Sequence, residues 1–349
     1  PVRDRMLLPT ADGGRCVTDA LREAQIICNH TRRLRGEEAH PYPRFNFAIP
    51  GSLQGFACEE FGTLSNEAGT LAITTVESAF ATTPTFISPE QASLGGYELV
   101  ASPAIYPGQT LRAQFRTPPT TFRLVVGIWS ENDQIDYHFG PSNATEWQVP
   151  NDYGFPIAEV GVDVHCSCEL ASLSWHGEPT VKFISGMSQA WRKQWVNGVD
   201  EWAPWGSNFR LIQNEGTGLL ITGTREWKDI TVKSSITPNL AERFGIACRV
   251  QGMRRFYALL LCRDSFVRLV KALDGETVLA EQPYDRDLNM EYDFEMSACG
   301  SKIECSLDGQ HLFTVEDIDR PLIGGGIAYV ITEGRIDSDE ISVAPAGPK

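Results

Sequence analysis

The sequence predicts an all-β protein, two tandem β-sandwiches behind a short N-terminal helical segment. Three observations carry that prediction. Apolar or alternating runs of strand length recur from Phe45 onward, Gly, Pro and Asn punctuate them at the spacing of a sandwich, and no long helical period interrupts the second half. At about 150 residues per domain, 349 residues suffice for roughly two full-sized cores.

Residues 16–35 (CVTDALREAQIICNHTRRLR) set Val17, Leu21, Ala24, Ile27, Cys28 and Leu34 at mostly three- and four-residue intervals. With Thr18 or Asp19 as N-cap and Arg32, Arg33 and Arg35 at the C-terminal end, this reads as one amphipathic helix, which Pro41 and Pro43 terminate. Residues 1–45 are therefore the helical segment. The first sandwich is placed at 46–185, on the runs TLAITTV (70–76), YELVASPAIY (97–106), LRAQFR (111–116), FRLVVGIW (122–129), IDYHF (135–139), AEVGVDV (158–164) and ELASLSW (169–175). Residues 186–206 form a linker with Trp191, Trp195, Trp202 and Trp205, expected to glue the two sandwiches together, with sugar stacking as the alternative. The second sandwich takes 207–349, from FRLIQNE (209–215) through GIACRVQG (245–252), RFYALLL (255–261), FVRLVKAL (266–273) and MEYDFEMSA (290–298) to IAYVITEG (327–334), with Asp274-Gly275 and Asp308-Gly309 as hairpin turns.

A net charge of −15 repels polyanions, so nucleic acid and acidic membrane surfaces are disfavoured partners. The imbalance is concentrated: residues 46–185 hold 15 acidic and 4 basic side chains. No run approaches the roughly 20 apolar residues of a membrane helix. Nine cysteines, an odd number without small-scaffold spacing, fit a reducing compartment, and a cytoplasmic location is expected. The opening Pro1-Val2-Arg3 is no translation start, which suggests a piece of a longer protein.

Several long blocks agree in order with one family. AWRKQWVNGVDEW, FRLIQNEGTGLLITGTREWKD, GIACRVQGMRRFYALLL, RLVKALDGETVLAE and RPLIGGGIAYV, between Ala190 and Val343, resemble the C-terminal region of ADP-ribosylglycohydrolase-like proteins. TTPTFISPE (82–90), YELVASPAIYPGQTLRA (97–113) and LASLSWHGEP (170–179) are similar to the sandwich that precedes that region. The resemblance implies a carbohydrate-module or jelly-roll-like sandwich followed by a concanavalin A-like one. In that family the hydrolase is a helical domain holding two magnesium ions on paired aspartates. This chain contains no Asp-Asp pair, so residues 1–45 resemble the tail of a missing helical catalytic domain. Magnesium is expected only there, and no cofactor or metal in this chain.

The ligand implied is a sugar or ADP-ribosyl-type small molecule. Its expected site is the polar face of the second sandwich: Ile246, Cys248 and Val250 inward would send Arg249 and Gln251 outward, joined by Gln213, Asn214, Glu215, Arg254, Arg255 and Tyr257 as guanidinium forks and amides for ribose hydroxyls or phosphate. The alternative is a set of inter-strand ion pairs. An enzyme reading rests on Glu291, Asp293 and Glu295, which alternate as in concanavalin-fold glycosidases; solvated alternation around inward Tyr292, Phe294 and Met296 explains the same letters. A third reading is a structural interaction module docking through the linker. His165, Cys166, Cys168 and His176 admit a strand-end turn, a disulfide or a zinc site, and Trp129 and Trp147 either a buried core or a sugar platform.

Overall fold

A computed structural model describes residues 45–47, 50–51, 53, 56–58, 62–82, 105–130, 132, 134–153, 156–186, 192, 194–203, 208–273 and 275–347. The expected helix at 16–35, and Trp191 and Trp205, lie outside them. All elements named among the described residues are strands.

The N-terminal half contributes β1 (Phe45–Asn46), β2 (Ala57–Cys58), β3 (Gly62–Ser65), β4 (Leu71–Thr75), β5 (Ala79–Thr82), β6 (Thr110–Thr117), β7 (Phe122–Trp129), β8 (Ile135–Phe139), β9 (Glu146–Gln148), β10 (Ile157–Val164) and β11 (Cys168–His176). They make two antiparallel sheets, a six-stranded one ordered β3-β4-β11-β6-β9 with β1 on β11, and a five-stranded one ordered β2-β5-β10-β7-β8. Period-two alternation aims one side of each sheet at the other. Leu71, Leu111, Leu170 and Trp175 from the first meet Ala81, Leu124, Val126, Val160 and Val162 from the second in a single buried core.

The second half contributes β12 (Val181–Ile184), β13 (Val196–Gly198), β14 (Glu201–Ala203), β15 (Phe209–Thr222), β16 (Ile230–Asn239), β17 (Arg243–Gly252), β18 (Arg255–Cys262), β19 (Phe266–Leu273), β20 (Glu276–Pro283), β21 (Tyr292–Cys299), β22 (Lys302–Leu307), β23 (Gln310–Glu316), β24 (Gly326–Ser338) and β25 (Glu340–Pro345). These fourteen strands form one nearly closed antiparallel sheet. It folds over at β16 and β24: β16 pairs β21 over Ile230–Ile236 and β25 over Ile230–Ser234, then passes to β24 at Thr237–Asn239. The fold encloses a core in which Val232, Phe294, Met296 and Ile341 of one half face Ile246, Leu259, Tyr329 and Ile331 of the other. Across β15, β17, β18, β19 and β24 the opposite side is buried too: Leu219, Ala247, Val250, Phe256, Leu260, Val270 and Val330 build a second apolar cluster. Both faces of these strands are thus apolar, which is why RFYALLL shows no alternation.

The expected linker carries strands of its own. Residues 196–198 and 201–203 are strands β13 and β14 on β15, and Trp195 lies inside the second core, its ring 5.2 Å from Phe183 and 5.3 Å from Phe209. Among the described residues Tyr106 crosses between the halves: it precedes β6 yet seats its ring 4.8 Å from Trp227 in that core. Gln109 holds it, accepting the Tyr106 N–H and donating to Gly177 O. Gly108, at φ +85°, makes the tight approach to Thr180 that this plug requires.

Beside the plug, Glu178 accepts the Lys228 N–H at 3.0 Å. Burial pushes its carboxyl above the usual range, against the opposing pull of the Lys228 and Asp229 amides. A raised carboxyl pKa means that ionisation costs folded-state stability as pH climbs through it. Glu178→Gln is expected to match the parent's melting temperature at pH 4 and to gain on it steadily toward pH 7. A difference that stays flat with pH contradicts this.

Candidate functional site

The expected ligand face of the second half does not assemble. A bulge interrupts β17 between Cys248 and Val250, and Arg249 takes φ +50°. That breaks the alternation: Val250 joins Ala247 on the opposite face, while Arg249 turns inward and is 1% exposed. Its guanidinium donates to Lys228 O at 3.1 Å, Gly300 O at 2.6 Å and Leu322 O at 2.7 Å, with Asp229 at 3.4 Å. Tyr257 also points inward, donating to Asp317 Oδ2 and accepting the Leu322 N–H; burial pushes its hydroxyl well above the ordinary tyrosine value. Gln251 donates to Gly324 O, and Lys271 to Asp317 and Asp319 O. Arg249, Tyr257 and Gln251, picked to read a ligand, thus bind the chain's own 317–325 loop, with Arg249 also holding the carbonyls of Lys228 and Gly300.

Gln213 is buried, accepting the Asp200 N–H and donating to Glu215 O. Asn214 and Glu215 are exposed on the bulge of β15. Gln213 pairs Gly334 and Val250 pairs Gly326, eight residues apart along β24, so the two groups of the expected site are separate. Arg254 is exposed and Arg255 half-buried at the β17–β18 turn.

Glu291, Asp293 and Glu295 project outward while Tyr292, Phe294 and Met296 enter the core, as alternation requires. Glu295 pairs Lys233 at 3.0 Å and Asp293 accepts the Ser235 hydroxyl. Each of those two carboxylates has its own cross-strand partner instead of converging on one cleft. Cys166 and Cys168 are thiols. Hydrogen bonds from Thr120 lower the Cys166 pKa, whereas burial pushes that of Cys168 up to about 12. Among the described residues no group of three or more His, Cys, Asp and Glu is placed to hold a metal ion.

A different surface brings binding chemistry together: the outer face of the five-stranded sheet. Register sets Arg123 against Asp163 and Gly127 against Glu159, then Val125 against Phe139 and Gly127 against Tyr137, and Asp163 against Phe80 on the other side. Arg123 directs Nε and Nη2 to Asp163 Oδ2 at 3.0 and 2.6 Å and lies 4.2 Å over the Phe139 ring. Tyr137 donates to Glu159 Oε2 at 2.9 Å and packs edge-on against Phe80 at 4.6 Å. A Cβ on Gly127 would come within 2.7 Å of Ile135 and 3.0 Å of Tyr137, so glycine lets the ring lie close to the sheet. Phe139 is 42% exposed while Asp163 is 6% exposed. An open aromatic beside a recessed carboxylate and a guanidinium offers stacking and directional hydrogen bonds on one surface.

Sequence reasoning missed this face because its members come from four strands. The available signal was local: Tyr137 and Phe139 share one side of IDYHF, and Glu159, Gly161 and Asp163 share one side of AEVGVDV. Trp129 lies at the buried end of the same face, against Ile135 and Ala158, and Trp147 is half-buried against the first core. Neither is an open platform.

No family model and no curated protein sequence matches the chain. Solved structures show distant similarity to carbohydrate-binding and galectin-like β-sandwich modules. A carbohydrate-binding module from Bacillus subtilis is 17% identical, covering 43% of this chain and 94% of its own, with a TM-score of 0.40. A Bacillus subtilis protein of unknown function with a galectin-like fold is 12% identical over 46% and 93%, TM-score 0.37. The Emp46p carbohydrate recognition domain is 11% identical over 47% and 93%, TM-score 0.36.

Proposed function

We propose that the chain is a non-catalytic glycan-recognition region whose contact surface is the outer face of the five-stranded sheet. The observation that carries this is the exposed Phe139 ring, with the Arg123 guanidinium 4.2 Å over it and the recessed Asp163 bound to that same guanidinium. Pyranose rings present apolar C–H faces to aromatics and hydroxyls to carboxylates and guanidinium groups, which is the chemistry this surface supplies. The concanavalin A-like label for the second half is part of this proposal.

The narrower reading, an accessory region recognising ADP-ribosyl substrates beside a helical catalytic domain, rests on the family resemblance. Its pyrophosphate needs a cationic cradle. Arg249, the guanidinium expected to lead that cradle, is committed to three carbonyls inside the fold, so glycan recognition in general is favoured. Screening the whole chain on a glycan array, then titrating a hit in solution, tests this. Phe139→Ala should weaken binding about tenfold, the equivalent of ~1.4 kcal/mol, while Leu288→Ser on the other half leaves it unchanged. Equal affinity for Phe139→Ala and the parent would place any glycan site elsewhere.

A further inference from the structure

Resting on that glycan reading, we infer that the face selects neutral and amine-bearing pyranosides over acidic ones, with Asp163 the specificity-determining residue. The face carries two recessed carboxylates, Asp163 and Glu159, against one guanidinium. Among the described residues Arg123 is the one guanidinium on it, and two of its donors converge on Asp163 Oδ2. An acidic sugar can reach only what Asp163 leaves of that guanidinium, and it must do so next to the Asp163 carboxylate.

Acceptors, by contrast, are in surplus. Both Arg123 hydrogen bonds and the 3.8 Å approach of His165 fall on Oδ2, which leaves Oδ1 for hydroxyl or ammonium donors from a ligand. The wider field has the same sign: 15 acidic against 4 basic side chains over residues 46–185. A ligand suited to this face brings donors and no negative charge. Glucosaminyl and unmodified hexosyl chains meet that condition; uronates, sialylated sugars and nucleotide-sugars do not.

The test is calorimetric titration of the full chain at pH 6 with chitosan hexaose, cellohexaose and hexagalacturonate, at low and at high salt. Chitosan hexaose should bind tightest and hexagalacturonate at least tenfold more weakly than cellohexaose, with the chitosan preference shrinking as salt rises. Asp163→Asn should narrow the ratio of chitosan to galacturonate affinity by about tenfold while changing cellohexaose affinity far less. Glu159→Gln, which keeps the Arg123–Asp163 pair, should narrow it by a smaller factor if Asp163→Asn fails to fold.

Galacturonate binding as tight as the neutral sugar keeps the glycan reading and overturns the charge selection. So does a ratio that neither variant moves. Chitosan binding that survives Phe139→Ala reports attraction to the acidic surface at large and removes the assignment to this face. Silence for all three sugars removes the glycan reading itself, and this inference with it.

Discussion

Arg249→Met is expected to lower folding stability by about 3–5 kcal/mol, the range for removing one partner of a buried charged arrangement. The side chain is 1% exposed, and its loss strips donors from the carbonyls of Lys228, Gly300 and Leu322 together. Each orphaned buried acceptor costs roughly 1–3 kcal/mol. Because Leu322 belongs to the 317–325 loop, that loop should loosen first and become the earliest site of hydrogen exchange. Arg249→Lys should recover little, since a single ammonium cannot reproduce the guanidinium fork across three acceptors. A urea midpoint within error of the parent would refute the structural assignment. Glycan affinity measured on whatever fraction stays folded should be unchanged, which separates this role from the ligand-reading one expected from alternation alone.

Tyr106→Ala should cost about 3–5 kcal/mol, as for other large buried aromatics truncated in a core. Tyr106 adds a lever that Trp195 lacks, because it belongs in sequence to the first half and packs in the core of the second. Its removal opens a cavity against Phe183 and Trp227 and leaves the Gln109 and Thr180 hydrogen bonds to hold the junction. Calorimetry of the parent should show a single transition. For Tyr106→Ala that transition should split, the second half melting first, and the radius of gyration in scattering should increase. A single, equally sharp transition at the parent temperature would show that the other junction contacts, β12 on β25 among them, suffice to couple the halves.

Period-two alternation determined most of what can be decided one strand at a time. FRLVVGIW, IDYHF and FVRLVKAL are strands with the limits their apolar runs suggest, and Tyr292, Phe294 and Met296 take the inward side because a pleated strand puts alternate residues on one face. The acidic balance around the first sandwich was equally legible. Tertiary structure decided what depends on a partner strand. The bulge at Arg249 arises where β17 must fit β24 and β18 at once, and it inverts the side chain that unbroken alternation sends outward. RFYALLL is apolar throughout because the sheet buries both of its faces, which no single strand reports. The Arg123–Asp163 pair, forty residues apart in the chain, exists only in the register of β7 against β10. Register is a property of two strands and the cores they share, so the fold class was written locally while the candidate site was not.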